Sequence, residues 1–275
     1  MNWRTIRAIT RKDLMEVRHN GMAWKPMLIV PLIFVVLLPL AVIVGPSLLN
    51  FPPDALTRDP DIQMFLDNMP PAMKAQVEGL DDHQMAVVLI LGFMFAPMML
   101  IIPVMVASII GSESFVGEKE RRTIEPLLYT PVTERELFIG KMLAAVLPAL
   151  AVCWGSFLLY TLIVNVAGGP VMGRFWFPSV VWIPLMLWVA PAIAVLGMTG
   201  AVFISSRVGT FMEAYQSTGL LVLPVILLVI AQVAGVVYLN VEIALVVGLV
   251  MWLIDAGLLA LSLRTFSRAA LMARV

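Results

Sequence analysis

The residues able to do chemistry are gathered in one dense stretch and a few isolated positions. From Gly117 to Lys141 the chain reads GEKERRTIEPLLYTPVTERELFIGK. This is its most charged part, in a sequence that is 61% hydrophobic and only 13% charged. Asp255 stands alone in an apolar run between Ile254 and Ala256. No familiar catalytic set is present: there is no His-Glu-x-x-His, no Gly-x-Ser-x-Gly and no pair of aspartates within apolar runs. A membrane protease or lipid-modifying enzyme therefore lacks its machinery. The single Gly-Lys, Gly140-Lys141, is followed by Met142, and Arg135 stands where a phosphate-binding loop needs its first glycine. This chain is expected not to be an ATPase. His19 and His83 are far apart, and Cys153 is the single cysteine, so no metal site and no internal disulfide are expected.

A soluble domain carries about 25% charged residues, so this composition implies an integral membrane protein. Its apolar runs are about 20 residues or longer, which suits helices rather than the short alternating strands of a barrel. The fold class expected is all-α, with six transmembrane helices. The spans are placed at 26–49, 85–110, 137–166, 179–205, 215–238 and 242–263. Segment 50–84 is a loop rich in acids and prolines, holding two short helices at Asp61–Met69 and Pro71–Leu80. Gly168-Gly-Pro170 is expected to end span 3, and 264–275 forms a tail. The zero formal net charge points to no nucleic-acid partner.

Residues 1–25 precede the first span. Trp3, Ile6, Ile9, Leu14 and Val17 recur near the helical period among Arg4, Arg7, Arg11, Lys12 and Arg18. This pattern predicts an amphipathic helix lying in the membrane interface, with its basic face toward anionic headgroups. The first apolar run has no Ala-x-Ala exit and is read as a retained span.

Six spans place both termini on one side. Of the eighteen Lys and Arg, only Arg58, Lys74 and Arg174 fall on the opposite face. The positive-inside rule therefore predicts that both termini and the 111–136 loop are cytoplasmic. Within that loop Glu118 can pair with Arg121 or Arg122 on one helix face. Pro126 suits the first turn of a second short helix. Thr130-Pro131 breaks the chain, and Thr133-x-x-Glu136 is a capping box opening span 3.

The run Gly-Glu-Lys-Glu-Arg-x-Thr-Ile-Glu-x-Leu-Leu-x-Thr-Pro-Val, followed by Glu136-Leu137 and Gly140-Lys141, resembles the signature of ABC type 2 exporter permeases, with the sodium- and multidrug-exporting branches nearest. Arg122 departs from the pattern, which has glycine there. The resemblance implies a membrane subunit that moves substrate out of the cytoplasm. ATP and Mg would be bound by a separate ATPase subunit present in two copies, and this chain would hold no cofactor. A second permease copy, as a homodimer, would complete the assembly in the cytoplasmic membrane of a bacterium or archaeon. The loop between spans 2 and 3 would hold the coupling helix. Glu118, Glu120, Arg121 and Glu125 would be its polar contacts to the ATPase, and Leu127 and Leu128 its apolar ones.

Polar groups at depth are candidates for a translocation path. Glu113 lies at the cytoplasmic end of span 2, where an inner gate would be. Asn165 and Gln232 can hydrogen-bond between helices. Asp255 suits either a structural or a substrate role, and it is the support for the alternative of an ATP-independent channel or ion-coupled transporter.

Overall fold

The structure is a computed structural model that describes residues 2–49, 60–121, 132–205 and 207–265. Helix α1 (Trp3–His19) leads into the first of the six helices that, among the described residues, are long and apolar enough to cross a membrane. These are α2 (Ala23–Pro46), α5 (Asp82–Gly117), α6 (Glu134–Met172), α7 (Trp182–Ser205), α8 (Phe211–Val233) and α9 (Val241–Ser262). Two short helices, α3 (Pro60–Asp67) and α4 (Pro71–Val77), lie between the first two spans. With the link between them they bury Phe65, Met69, Met73 and Val77, and the Tyr238 hydroxyl donates to the Phe65 carbonyl at 2.9 Å. Among the described residues there is no strand.

Helices α5 and α6, of 36 and 39 residues, overrun their expected limits at both ends. At 1.5 Å per residue each is more than ~50 Å long, well beyond the ~30 Å hydrocarbon layer. Helix α6 starts at its capping box. The Thr133 hydroxyl accepts from Glu136 N at 3.3 Å, and Glu136 Oε2 accepts from Thr133 N at 3.2 Å. Gly168-Gly-Pro170 does not end this helix, contrary to expectation: it runs on to Met172 and stops at Gly173, whose φ of 65° is left-handed. Proline removes one backbone donor, but the left-handed glycine is what turns the chain out of the helix.

Helices α5 and α7 form the centre of the bundle. In each, 72% of the most apolar window is buried, against 17–28% in the other spans. Small residues permit this approach. A Cβ on Gly197 would sit 2.7 Å from the Val104 carbonyl oxygen, and one on Gly111 would sit 2.8 Å from Ala201 Cβ. Close backbone packing of this kind replaces the hydrophobic driving force that lipid removes.

Within the spans, the segments Ile33–Leu37, Val88–Met94, Glu113–Gly117 and Leu185–Val189 widen into π-helical turns. A π turn shifts the backbone bonding and frees carbonyls for other donors. In Val88–Met94, three successive carbonyls are taken by three different spans. Tyr160 Oη donates to Leu91 O at 2.8 Å, Trp182 Nε1 to Gly92 O at 3.0 Å, and Gln232 Nε2 to Phe93 O at 2.6 Å. Helices α6, α7 and α8 are thus fastened to one turn of α5. Around it, Tyr160 stacks on Phe95 with ring centroids 4.8 Å apart, and Phe177 meets Trp182 edge-on at 4.9 Å.

Candidate functional site

The charged stretch and α1 meet at one end of the bundle. Asn2 caps α1 by accepting from Arg4 N at 3.0 Å, and its own N–H donates to Glu136 Oε1 at 2.5 Å. Spacings of three and four place Ile6, Ile9, Asp13 and Val17 on one buried face. That face packs on the start of α6, whereas Trp3 is 64% exposed and Leu14 is also exposed. The apolar stripe expected to face the interface is therefore used largely against protein. Gly140 makes the contact close, since a Cβ there would lie 2.9 Å from Ile9 Cγ2. Thr10 Oγ1 donates to the Gly140 carbonyl at 3.0 Å.

One residue beyond Gly140, Lys141 is 2% exposed. Its ammonium donates to Ser114 O at 2.6 Å and to Glu118 Oε2 at 2.8 Å, and lies 3.4 Å from Asp13 Oδ2. The same Asp13 oxygen accepts from the Ser114 hydroxyl at 2.9 Å. The Phe115 ring centroid is 5.1 Å from the ammonium. Lys12 pairs with the other Glu118 oxygen and reaches Glu16 at 3.2 Å. Charges withdrawn from water persist only when paired and hydrogen-bonded in this way. Burial works against the Lys12 charge, but the Glu118 hydrogen bond and the surrounding carboxylates outweigh it and raise its pKa. Oxygens of Asp13, Glu16 and Glu118 lie within 4.8 Å of one another, a spacing a cation could use. Lys12 and Lys141 already pair with these acids, so the group is an ion-pair cluster.

A second set of contacts adjoins the first. Glu113 accepts from Asn20 Nδ2 at 2.8 Å and from Arg121 Nη2 at 2.7 Å. For Arg121 too, desolvation opposes the charge and the Glu113 carboxylate more than offsets it, raising its pKa. Gly117 gives the Glu113 carboxylate room, because a Cβ there would stand 3.0 Å from its carboxyl carbon. Glu120 Oε2 accepts from Phe211 N at 2.8 Å, which ties the helical turn Glu118–Glu120 that follows α5 to the start of α8. Lys12, Met15, Glu16, His19, Asn20 and Arg121 line an open groove of about 630 Å³ beside these pairs.

Most of the residues singled out from the sequence now have a place. Glu118 is 1% exposed and faces the two lysines, so it holds the helices together from within. Glu120 is exposed, and Arg121 is partly exposed. Glu125, Leu127 and Leu128 lie outside the described residues, as do Arg122, Pro126 and the Thr130-Pro131 break. Glu113 is buried within the tie between α1 and Arg121. Asn165 holds the turn after α6: its Nδ2 donates to Phe177 O at 2.7 Å, and its Oδ1 accepts from Trp176 N and Phe177 N, each at 3.3 Å. Gln232 joins α8 to the π turn of α5. Asp255 is fully buried, and neither carboxylate oxygen has a hydrogen-bond partner among the described residues.

Sequence reasoning missed Asp13 and Asn20, it read Lys12 only as part of a basic face toward headgroups, where the structure pairs it with Glu16 and Glu118, and it read Lys141 only as part of a motif. The available signal was the register: Asp13 continues the buried 6–9 face of α1, where an acid among basic neighbours needs a partner cation.

A family model described as ABC-2 family transporter protein matches residues 7–253. No curated protein and no solved structure matches the chain.

Proposed function

The chain belongs to the ABC-2 transporter family, and from that premise we propose that it is the permease of an ATP-driven exporter, with ATP hydrolysed by a separate subunit. The observation that carries the mechanical part is the Lys141–Glu118–Asp13 cluster. It joins α1, the end of α5 and the start of α6 through charges that cannot separate cheaply. Glu120 adds the start of α8. A push delivered to the 118–141 stretch would thus reach three spans and α1 together, instead of being absorbed by a loose loop.

In this reading the ATPase subunit carries ATP and Mg, and two copies serve two permeases. It grips the stretch after Glu118 together with the groove between α1 and Arg121. Glu120, Arg121 and Glu125 supply polar contacts, and Leu127 and Leu128 supply apolar ones. The distribution of Lys and Arg supports a cytoplasmic position for this end and for both termini. The unpartnered Asp255 is what the channel alternative rests on.

The experiment is co-purification with the candidate ATPase, followed by ATPase assays in proteoliposomes. Leu127→Asp and Glu120→Arg are expected to insert normally and to lose most of the permease-dependent ATPase stimulation. Normal coupling by both variants would overturn the docking assignment. Transport by the isolated chain without ATP would favour the channel alternative.

A further inference from the structure

The outward side of α1 carries charge that no contact in the chain uses. Arg4, Arg7, Arg11 and Arg18 are all exposed, and among the described residues none of their guanidinium groups joins an ion pair or a hydrogen bond. Their spacings put them in one row, within an arc of about 60° at 3.6 residues per turn. Lys12, expected in the same basic face, lies outside the row and pairs with Glu118. The acids of α1 also lie elsewhere: Asp13 meets Ser114 and Lys141, and Glu16 meets Lys12. Like charges at these spacings repel one another along a helix, so the row costs stability until something anionic faces it.

Two contacts show how α1 lies. Asn2 meets Glu136, and further along Asp13 meets Lys141. Between them the chain advances about 16 Å along α1 but only about 8 Å along α6. Helix α1 therefore crosses the spans steeply instead of running beside them. After extended backbone at Asn20 the chain enters α2, whose exposed Trp24 and Lys25 are residues that anchor a span at the bilayer surface. Around α1, the edge with Lys12 and Glu16 looks toward Glu118, past the end of α5 and away from the apolar spans. The opposite edge holds Trp3 and Leu14, both exposed, and so looks toward lipid. The arginine row runs between this apolar edge and the groove formed with Arg121.

We propose that the row binds anionic phospholipid headgroups of the leaflet that α2 enters, with Trp3 and Leu14 sunk beside the acyl chains. Each guanidinium matches phosphate geometry and donates charge-assisted hydrogen bonds to it. An acidic protein surface would answer the arginines alone. A membrane answers the row and its apolar edge together, phosphate beside hydrocarbon. Helix α1 is fastened to α5 and α6 through Asp13, Glu118 and Lys141, so headgroups held by the row bear on the ends of both spans. The assignment depends neither on the ATPase nor on the direction of transport.

The test uses the full-length chain. In native mass spectrometry, phosphatidylglycerol, phosphatidylcholine and inorganic phosphate compete for it. Phosphatidylglycerol is expected to bind best, less so at high salt. Arg7→Gln and Arg11→Gln are each expected to weaken that preference about fivefold, and replacing all four arginines by glutamine to remove it. Arg174→Gln, exposed beyond the other end of α6, is expected to leave it unchanged. The row is exposed and unpaired, so these variants should keep or raise the unfolding midpoint in neutral detergent, which separates lost binding from lost folding. In phosphatidylglycerol nanodiscs, a fluorophore on Leu14→Cys should be quenched by lipid-borne nitroxides, and one on His19→Cys by a water-soluble quencher. Cys153 is buried and escapes labelling. Saturation by inorganic phosphate alone, or a Leu14 label quenched only from water, would overturn the proposal. Should the fourfold variant keep its lipid preference but lose the co-purifying ATPase, the row belongs to a protein instead.

Discussion

Lys141 Nζ lies 2.8 Å from Glu118 Oε2, and the two side chains are 2% and 1% exposed. The residues bracket the charged stretch, so the pair closes it into a loop whose two ends cannot drift apart. Lys141→Met leaves Asp13 and Glu118 with Lys12 as their remaining cation in the cluster. Breaking a buried pair in this way costs about 3–5 kcal/mol. Glu118→Gln is expected to cost a similar amount, and the double variant less than the sum, since each change removes the other's partner. Unfolding of the four proteins in detergent micelles measures the coupling. An additive double variant would mean that the pair does not hold the loop.

Glu120 makes a different kind of tie. It is exposed, yet its carboxylate accepts from Phe211 N at the start of α8. Glu120→Ala should lower stability by only about 1 kcal/mol, because water replaces the bond. Its effect on ATPase stimulation should be several-fold, because α8 loses its connection to the loop. A stability loss matched by an equal loss of coupling would reduce Glu120 to a structural role.

Lys12 sets a pH limit on the cluster. Its pKa is raised above the ordinary 10.5. A cation with a raised folded pKa stabilises fully below its unfolded value, and that contribution fades as pH rises through the folded value. The stability difference between the wild type and Lys12→Met should therefore be constant from neutral pH to about 10 and shrink above it. Thermal unfolding of both proteins from pH 7 to 11 makes the comparison. A difference that already falls between pH 7 and 9 would assign the effect to another group.

The spans were legible because a long apolar run has few alternatives in a membrane. Their ends were less so. Gly168-Gly-Pro170 reads as a stop, but a left-handed backbone at Gly173 decided where α6 ends, and φ is not written in residue type. The Thr133–Glu136 box was legible because a cap needs only local chemistry. The Asp13–Lys141 contact spans 128 positions and follows from how α1 lies on α6. No local pattern announces such a contact, though the buried register of Asp13 hints at it. The signature itself gains a second meaning here. Gly117, Glu118, Gly140 and Lys141 meet residues of this same chain, which accounts for their types without any partner.

The contact of α5 with α7 makes a packing prediction. Gly197→Val would drive a branched side chain into the Val104 carbonyl, which a Cβ alone already approaches to 2.7 Å. Backbone cannot yield there as a flexible side chain would. Overpacking of this kind costs about 1–3 kcal/mol or more. Gly155→Val, where nothing lies within 4 Å, should be nearly neutral. Unfolding midpoints of the two variants test the assignment of α5 and α7 as the centre. Equal losses would contradict it.

Asp255 carries the last prediction. It is fully buried with both oxygens unpartnered among the described residues, although a carboxyl group in an apolar setting requires a hydrogen bond. Its helix packs on α7, and a few residues earlier the Trp188 and Trp252 rings lie 5.9 Å apart. Asp255→Leu removes the unsatisfied group and fills similar space. It should raise stability by about 1–3 kcal/mol, as apolar replacement of imperfectly paired buried polar groups does. Asp255→Asn should fall between the two, since the amide is still polar. Unfolding of the protein at low and at assembly-forming concentration separates two cases. A gain at both concentrations means that the carboxyl has no partner in any state. A loss that appears only in the assembled protein means that a second copy supplies the missing donor.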